Sequence, residues 1–239
     1  MPDPRATGGD RRAPVVLAFD TAASACSVAV GIGDAMLAHE RREMRHGHAE
    51  ALLPMIDRVM EAGGLTPVAI GTVAVSVGPG GFTGIRAGLA AAQGLALASG
   101  ARLVGVTSFA AVTALIPRGD EPILVALDSR REDLYVQLFS GDGTPLGEPV
   151  AVPPAELASL VAAAIGDAAL RVAGDVADNA AASLMDRDGV AVVAGSAPDA
   201  HGVLAAATDR KFAGPARPLY LRPPDVSLPK SRPGADGRS

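Results

Sequence analysis

The chain is short of aromatic residues, cysteine and long apolar runs, and each shortage excludes a class of protein. Its 239 residues include five Phe, two Tyr and no Trp. It also carries 26 acidic against 21 basic side chains, so it lacks the cationic surface and stacking platforms of a stand-alone nucleic-acid binder. The single cysteine, Cys26, excludes an internal disulfide and fits a reducing cytoplasm. No stretch reaches the roughly 18 uninterrupted apolar residues of a membrane-spanning helix.

The two ends of the chain differ in composition from what lies between them. Residues 1–13 and 223–239 are polar and rich in Gly, Pro and Arg, which predicts two disordered tails. The first of them also lacks the apolar segment of a secretory signal. Between the tails we expect a folded body of two lobes, 14–115 and 116–222.

The folded body repeats itself. Residues 14–30 and 122–138 align without a gap, at an offset of 108 positions. Each copy is an apolar run of strand length, an acid (Asp20 or Asp128) followed by a hydroxyl residue, a short polar turn and a second strand. That pattern is typical of a β-hairpin with an acid at its tip. A duplicated hairpin followed by helices and strands predicts an α/β fold of two lobes, with both acids pointing into the cleft between them.

Two helices are predicted in the first half. Residues 48–62 carry apolar side chains at helical spacing with charged ones opposite, which is typical of an amphipathic helix. In residues 84–99 the only polar side chains before Ser99 are Arg86 and Gln93. A helix that is apolar nearly all round must be buried nearly all round, so its outer side needs a cover. The other predicted elements are strands at 73–77, 103–106, 170–173 and 190–193 and a helix at 177–185.

A glycine-rich motif lies at residues 76–86, between a predicted strand and the apolar helix. Free N–H groups at a helix N-terminus attract phosphates, but a phosphate-binding loop would end in Gly-Lys-Ser/Thr, and residues 76–86 contain no Lys. The dinucleotide pattern would need Gly where Thr83 stands. The structural alternative is a tight strand-to-helix turn with Thr83 as the N-cap.

Three further groups have a chemical and a structural interpretation. Asp20 and Asp128 suit a hydrated divalent cation, or they only cap their turns. His46 and Glu50 suit a metal site or a polar helix entry, although neither His-Glu-x-x-His nor a paired cysteine is present. Cys26 alternates with Val28 and Val30, so in a strand it shares their apolar face, and the sequence places no base beside it. This predicts a buried, unreactive thiol.

Several motifs together resemble the bacterial TsaB proteins, also called YeaZ. The resemblance runs from about residue 14 to residue 222, which is nearly all of the folded body. The glycine-loop motif and the Asp-Thr hairpin are its most specific parts. The matching segments are residues 17–21, 25–30, 48–54, 76–86 and 217–222.

The resemblance implies an actin-like, ribonuclease-H-like fold and a role without catalysis. It implies that the chain binds TsaD, which transfers a threonylcarbamoyl group to the adenosine beside the anticodon (position 37) of tRNAs that read codons beginning with A. TsaE, an ATPase, joins that complex. ATP, ADP and the metal would belong to these partners, tRNA would meet the chain only through the complex, and the chain alone would form a homodimer. A cytoplasmic location without membrane contact is expected.

Two groups of residues follow from this interpretation, and neither is catalytic or metal-binding. A partner interface on the first-lobe helices would account for the uncovered apolar helix. The glycine loop and hairpin acids would be remnants of an ancestral nucleotide cleft. The predicted interface comprises Met55, Val59, Arg86, Ala90, Gln93 and Leu97, and the vestigial cleft comprises Asp20, Thr21, Gly78, Gly80, Gly81, Thr83 and Asp128.

Two alternative functions remain at this stage. One is a small-metabolite ATP-dependent kinase of the actin-like superfamily, which would require tight ATP binding in the cleft. The other is a metal-dependent, glycoprotease-like peptidase, which would require a stoichiometric metal.

Overall fold

The computed structural model describes residues 13–33, 35–44, 46–209 and 211–222. The predicted tails, 1–13 and 223–239, lie outside the described residues except for residue 13.

The first half of the chain forms a five-stranded mixed sheet with strand order β3-β2-β1-β4-β5. Its central strand β1 pairs antiparallel with β2 and parallel with β4. The strands that follow the hairpin are separated by helices, as βαβ connections require. The elements are β1 (Val15–Asp20), β2 (Ala25–Ile32), β3 (Ala35–Glu43), α1 (His48–Ala62), β4 (Ile70–Ser76), α2 (Phe82–Ser99), β5 (Arg102–Val106) and α3 (Ser108–Ala114).

The second half forms another five-stranded sheet with order β10-β9-β6-β7-β8. Here β6 is central, antiparallel to β7 and parallel to β9. The elements are β6 (Ile123–Asp128), β7 (Leu134–Phe139), β8 (Val150–Val152), α4 (Leu157–Ile165), β9 (Leu170–Ala173), α5 (Ala177–Ala182), β10 (Val190–Val192) and α6 (Ala200–Thr208).

The two sheets have the same topology, which confirms the duplication predicted from the sequence. The central strands β1 and β6 each end on the repeated acid, Asp20 or Asp128, and each is followed by its antiparallel hairpin partner. The gapless alignment of the two segments is therefore an alignment of equivalent hairpins.

The helices divide the molecule into layers. Alternate residues of β1 enter two cores: Leu17 and Phe19 pack with α1 and α2, whereas Val16 and Ala18 pack with α3 and α6. The second core also contains β6 residues such as Val125, so α3 and α6 lie between the two sheets. Helices α4 and α5 cover the far side of the second sheet. Helix α6 falls within the range 116–222 but packs on the first sheet.

The end of the described chain returns to the first lobe as a strap, residues 213–222. Gly214 and Gly105 exchange backbone hydrogen bonds of 2.9 Å. Further along, the N–H of Leu219 donates to the carbonyl oxygen of Val77 at 2.8 Å. The strap thus covers the start of the glycine-rich loop that connects β4 to α2.

Most predicted elements are present with small shifts of their ends. Helix α1 has the predicted bounds, whereas α2 begins two residues early, at Phe82. The prediction of Thr83 as the N-cap is wrong, because Gly81 holds that position and makes no side-chain cap. Helix α5 ends at Ala182 rather than 185. No helix in the described ranges is long and apolar enough to cross a membrane.

Candidate functional site

The glycine-rich loop is closed by contact with the first hairpin turn. The N–H of Gly81 donates to the carbonyl oxygen of Ala22 at 2.8 Å, and Thr21 Oγ1 donates to the carbonyl oxygen of Gly84 at 2.8 Å. A side chain at Gly80 would overlap the Ala22 carbonyl oxygen, and one at Gly84 would overlap that of Thr21. The glycines therefore serve the close approach of two backbone segments, and the Gly81 N–H is used in a hydrogen bond between them.

The acid of the first hairpin lies beneath its own turn. Asp20 is 1% exposed, and its Oδ1 accepts hydrogen bonds from the Ala22 N–H at 2.6 Å and the Ser76 hydroxyl at 2.5 Å. Its Oδ2 is buried without a partner among the described residues. Burial raises the pKa of the Asp20 carboxyl, and the Asp199 carboxylate adds to that effect.

The acid of the second hairpin is exposed. Asp128 Oδ1 accepts a hydrogen bond from the Arg130 N–H at 2.7 Å, and the Asp128 N–H donates to Asp175 Oδ1 at 3.0 Å. Burial also raises the pKa of Asp175. The expectation that both acids face the cleft therefore fails for Asp20, because its turn and Ser76 enclose the carboxylate.

The cleft between the hairpins is a poor fit for a nucleoside triphosphate. Its cavity has a volume of about 170 Å³, and the side chains that line it include Asp128, Asp175 and Arg130. Pockets that hold small molecules usually measure about 300–1,000 Å³, and two carboxylates repel phosphate groups. The Gly81 N–H is already hydrogen-bonded to Ala22. The residues that line this cavity do not form a cradle for ATP.

Arg130 is a feature of the cleft that the sequence analysis did not identify. It has a φ of 60°, a value that non-glycine residues adopt infrequently. Its guanidinium lies against Gly81, with Nη2 3.0 Å from the position that a Gly81 Cβ would take. The sequence did carry a signal for Arg130. In the alignment of the two copies, Arg130 and Arg131 at the second hairpin tip take the place of Ala22 and Ala23 in the first.

The histidines at the start of α1 line a cavity of about 410 Å³ between α1 and α2. Its lining includes His46, His48, Glu50 and Arg130. Burial, together with the Arg130 charge, lowers the pKa of His48. Among the described residues, no three His, Cys, Asp or Glu side chains converge in a way that could hold a metal ion.

The structure separates the predicted interface residues into two groups. Met55 and Val59 are 0% and 2% exposed, in the core beneath α1. Because the apolar face of α1 packs on the first sheet, these two side chains cannot contact a partner. Their prediction as interface residues is therefore wrong. The other four, Arg86, Ala90, Gln93 and Leu97, are exposed on one face of α2.

The prediction that Cys26 is buried is confirmed. Cys26 is 0% exposed within β2. Burial raises the pKa of its thiol to about 11, so the thiol stays protonated at neutral pH and is a poor nucleophile.

Two mixed sheets of equal topology, separated by helices and ending on equivalent hairpin acids, define a two-lobed actin-like α/β protein. Component A of the (R)-2-hydroxyglutaryl-CoA dehydratase of Acidaminococcus fermentans shares the fold alone, at 12% identity and a TM-score of 0.50, covering 82% of this chain and 97% of that one.

Closer similarity identifies the family. YeaZ from Pseudomonas aeruginosa is 28% identical with a TM-score of 0.70, over 87% of this chain and 100% of that one. The family model "TsaD: tRNA N6-adenosine threonylcarbamoyltransferase" matches residues 41–173. The tRNA threonylcarbamoyladenosine biosynthesis protein TsaB of Escherichia coli is 35% identical over 129 residues, 53% of this chain and 55% of that protein. The chain belongs to the TsaB/YeaZ family of tRNA threonylcarbamoyladenosine biosynthesis proteins.

The extent of the similarity differs between relatives. The chain spans about half the length of the TsaB proteins of Escherichia coli and Haemophilus influenzae, 55% and 51%. An uncharacterized protein of Mycobacterium tuberculosis matches more fully, at 33% identity over 218 residues, which is 88% of this chain and 93% of that protein.

Replacing the buried acid of the first hairpin is expected to stabilise the fold. Because burial raises the folded-state pKa of Asp20 above 3.8, protonation stabilises the folded state, and that stability is lost as the pH rises through the raised pKa. Asp20→Asn removes this dependence. We expect its free energy of unfolding to exceed that of the parent by on the order of 1 kcal/mol near pH 7, with a smaller difference near pH 4.

Urea titrations at several pH values measure this difference. The matched control is Asp128→Asn, the equivalent but exposed acid, for which a change within about 0.5 kcal/mol is expected. A destabilised Asp20→Asn variant at neutral pH would show that the buried charge contributes to the fold.

Proposed function

We propose that this chain is a non-catalytic subunit that binds TsaD, together with TsaE. In that role it supports the transfer of a threonylcarbamoyl group to the adenosine at position 37 of tRNAs that read codons beginning with A. The single observation that carries the proposal is the uncovered, largely apolar outer face of α2, in a chain that belongs to the TsaB/YeaZ family.

The outer face of α2 has the composition of a docking surface. Leu97 is 87% exposed, and small residues such as Ala90 and Gly94 lie beside it. Arg86 and Gln93 are the longer polar side chains on this face. Leu53 of the neighbouring helix α1 is also 52% exposed. Exposed apolar patches on a protein surface mark sites of protein–protein interaction.

A helical partner fits this surface best. Small residues on a helix face allow another helix to approach closely, and the few polar groups fix its register. We infer that the same face pairs with a second copy of the chain when no TsaD is present. Homodimer and heterodimer would then compete for one surface.

The proposal places cofactors on the partner subunits. The cavity between the two hairpin turns measures about 170 Å³, is lined by Asp128 and Asp175, and suits neither ATP nor ADP. This geometry supports a chain that binds no nucleotide tightly in its cleft, with ATP, ADP and metal held by TsaD and TsaE. The proposal also places the chain in the cytoplasm, in contact with tRNA through the complex.

Light scattering on a size-exclusion column tests this role. The chain is run alone and then mixed with the TsaD of the same organism. We expect a stable complex of the two proteins, formed at the expense of any homodimer. A strict monomer that ignores TsaD would overturn the proposal, and low-micromolar binding of ATP with magnesium by calorimetry would favour the kinase alternative.

A further inference from the structure

A second cavity of about 410 Å³ opens beside the hairpin cleft, on the side of the C-terminal strap. The glycine-rich loop and the start of α2 form one wall, and the tip of the second hairpin and the strap form the others. The volume falls within the range of about 300–1,000 Å³ that is typical of small-molecule sites. It is more than twice the volume of the cavity lined by Asp128 and Asp175.

Aromatic rings gather in this cavity, although the chain has very few. Phe82, Tyr135 and Tyr220 line it, which is three of seven aromatic residues and both tyrosines. The rings of Phe82 and Tyr220 have centroids 4.9 Å apart and are inclined by 34°. The guanidinium of Arg86 covers Phe82 at 3.8 Å, and its Nε donates to the Tyr220 hydroxyl at 3.3 Å. Tyr220 is therefore held in place while 36% of its surface stays exposed.

The charge of the cavity is opposite to that of the whole chain. Arg130, Arg131 and Arg222 line it, and its lining includes no carboxylate among the described residues. Arg222 forms an ion pair with Asp133. The Arg130 side chain forms no ion pair with any described residue, and it is exposed at the tip of the hairpin. A cationic group without an ion-pair partner among the described residues, beside exposed aromatic rings, is suited to an anion that carries a planar ring.

We propose that this cavity binds a nucleoside monophosphate unit, with its base stacked on Tyr220 and its phosphate paired with Arg130. Base–aromatic stacking and arginine–phosphate pairing are two interactions that proteins commonly use to bind unpaired nucleotides. The ligand is a free nucleotide or one nucleotide of an RNA strand. This inference goes beyond the partner-binding role, because the site lies within the chain. It meets the outer face of α2 only at Arg86, at the opposite end of the helix from Leu97.

Calorimetry with adenosine 5′-monophosphate and the chain alone tests the site. We expect a dissociation constant below about 1 mM, weakened at least tenfold by Tyr220→Ala and by Arg130→Ala. Tyr220→Phe keeps the ring and is expected to bind within about threefold of the parent. The matched control is Arg118→Ala, which removes an exposed arginine near another aromatic ring, Phe212. We expect its affinity for adenosine 5′-monophosphate to equal that of the parent. Thermal unfolding of each variant establishes that it is folded.

Two further probes identify the source and nature of the ligand. A single-stranded RNA heptamer that binds with the same sensitivity to Tyr220→Ala, and competes with the monophosphate, would identify an RNA strand as the source. Binding of the monophosphate alone would identify a free nucleotide. The proposal is overturned if neither probe binds, if both bind the folded variants as well as the parent, or if inorganic phosphate competes as strongly as the nucleotide. Because no TsaD is present, a failure here leaves the proposed subunit role untouched.

Discussion

Leu97→Glu is expected to abolish pairing of the chain with TsaD and with a second copy of itself, while the chain stays folded. The Leu97 side chain is 87% exposed and contributes little to the core of the first lobe. A carboxylate buried at the centre of an apolar helix interface would lose its hydration without gaining a partner. We expect the affinity to fall at least 30-fold, about 2 kcal/mol, as measured by light scattering over a concentration series.

The matched control for this variant is Met185→Glu. Met185 is 80% exposed on the second lobe, so the substitution adds the same charge at an equally exposed apolar position away from α2. We expect it to leave pairing unchanged. Normal pairing of Leu97→Glu would remove the outer face of α2 from the interface, whereas loss of the fold would show that this face is part of the core.

A methyl group at Gly84 is expected to destabilise the fold strongly. The Cβ of an alanine there would overlap the carbonyl oxygen of Thr21, and that oxygen belongs to backbone that cannot rotate away. The Thr21 hydroxyl also bonds to the Gly84 carbonyl oxygen, so the two segments cannot separate without losing that bond. We expect Gly84→Ala to lower the free energy of unfolding by roughly 2–3 kcal/mol, despite the better helix propensity of alanine.

The same helix provides the control. Gly94 has nothing within 4 Å of the position its Cβ would occupy. Gly94→Ala is therefore expected to raise stability by about 0.5–1 kcal/mol, because alanine favours the helix and restricts the unfolded chain. Urea unfolding followed by circular dichroism measures both variants. A stable Gly84→Ala protein would indicate that the glycine loop can move away from the first hairpin turn.

The fold was predictable from the sequence because the duplication is local and strongly patterned. The strands β1 and β6 are buried on nearly all sides, so they read as unbroken apolar runs, and each stops at an acid. The two copies align without a gap, which predicts that their apolar runs pair as equivalent hairpins. Helix α1 was predicted with its observed bounds because the periodicity of its apolar face is regular and Gly63 follows its end.

The surface and the cleft were less predictable, since they depend on which faces meet in three dimensions. Periodicity shows that one face of α1 is apolar but does not show that Met55 and Val59 face the protein's own sheet. Arg130 could not be assigned from spacing, because its contact with Gly81 joins residues from two lobes. The difference between Asp20 and Asp128 likewise depends on Ser76, which lies 56 positions from Asp20 in the chain.

The return of the chain to the first lobe has a consequence for synthesis. The layer between the sheets needs α6, whose N-cap region bonds to β2 through the Ala200 N–H and the Ser27 hydroxyl, 173 positions apart. Until that helix leaves the ribosome, one face of the first sheet stays exposed to water. The second sheet, complete at Val192, can form earlier. Nascent chains stalled with Val192 outside the ribosome and residue 200 still in the exit tunnel should therefore display a protease-sensitive amino-terminal half beside a more resistant later half.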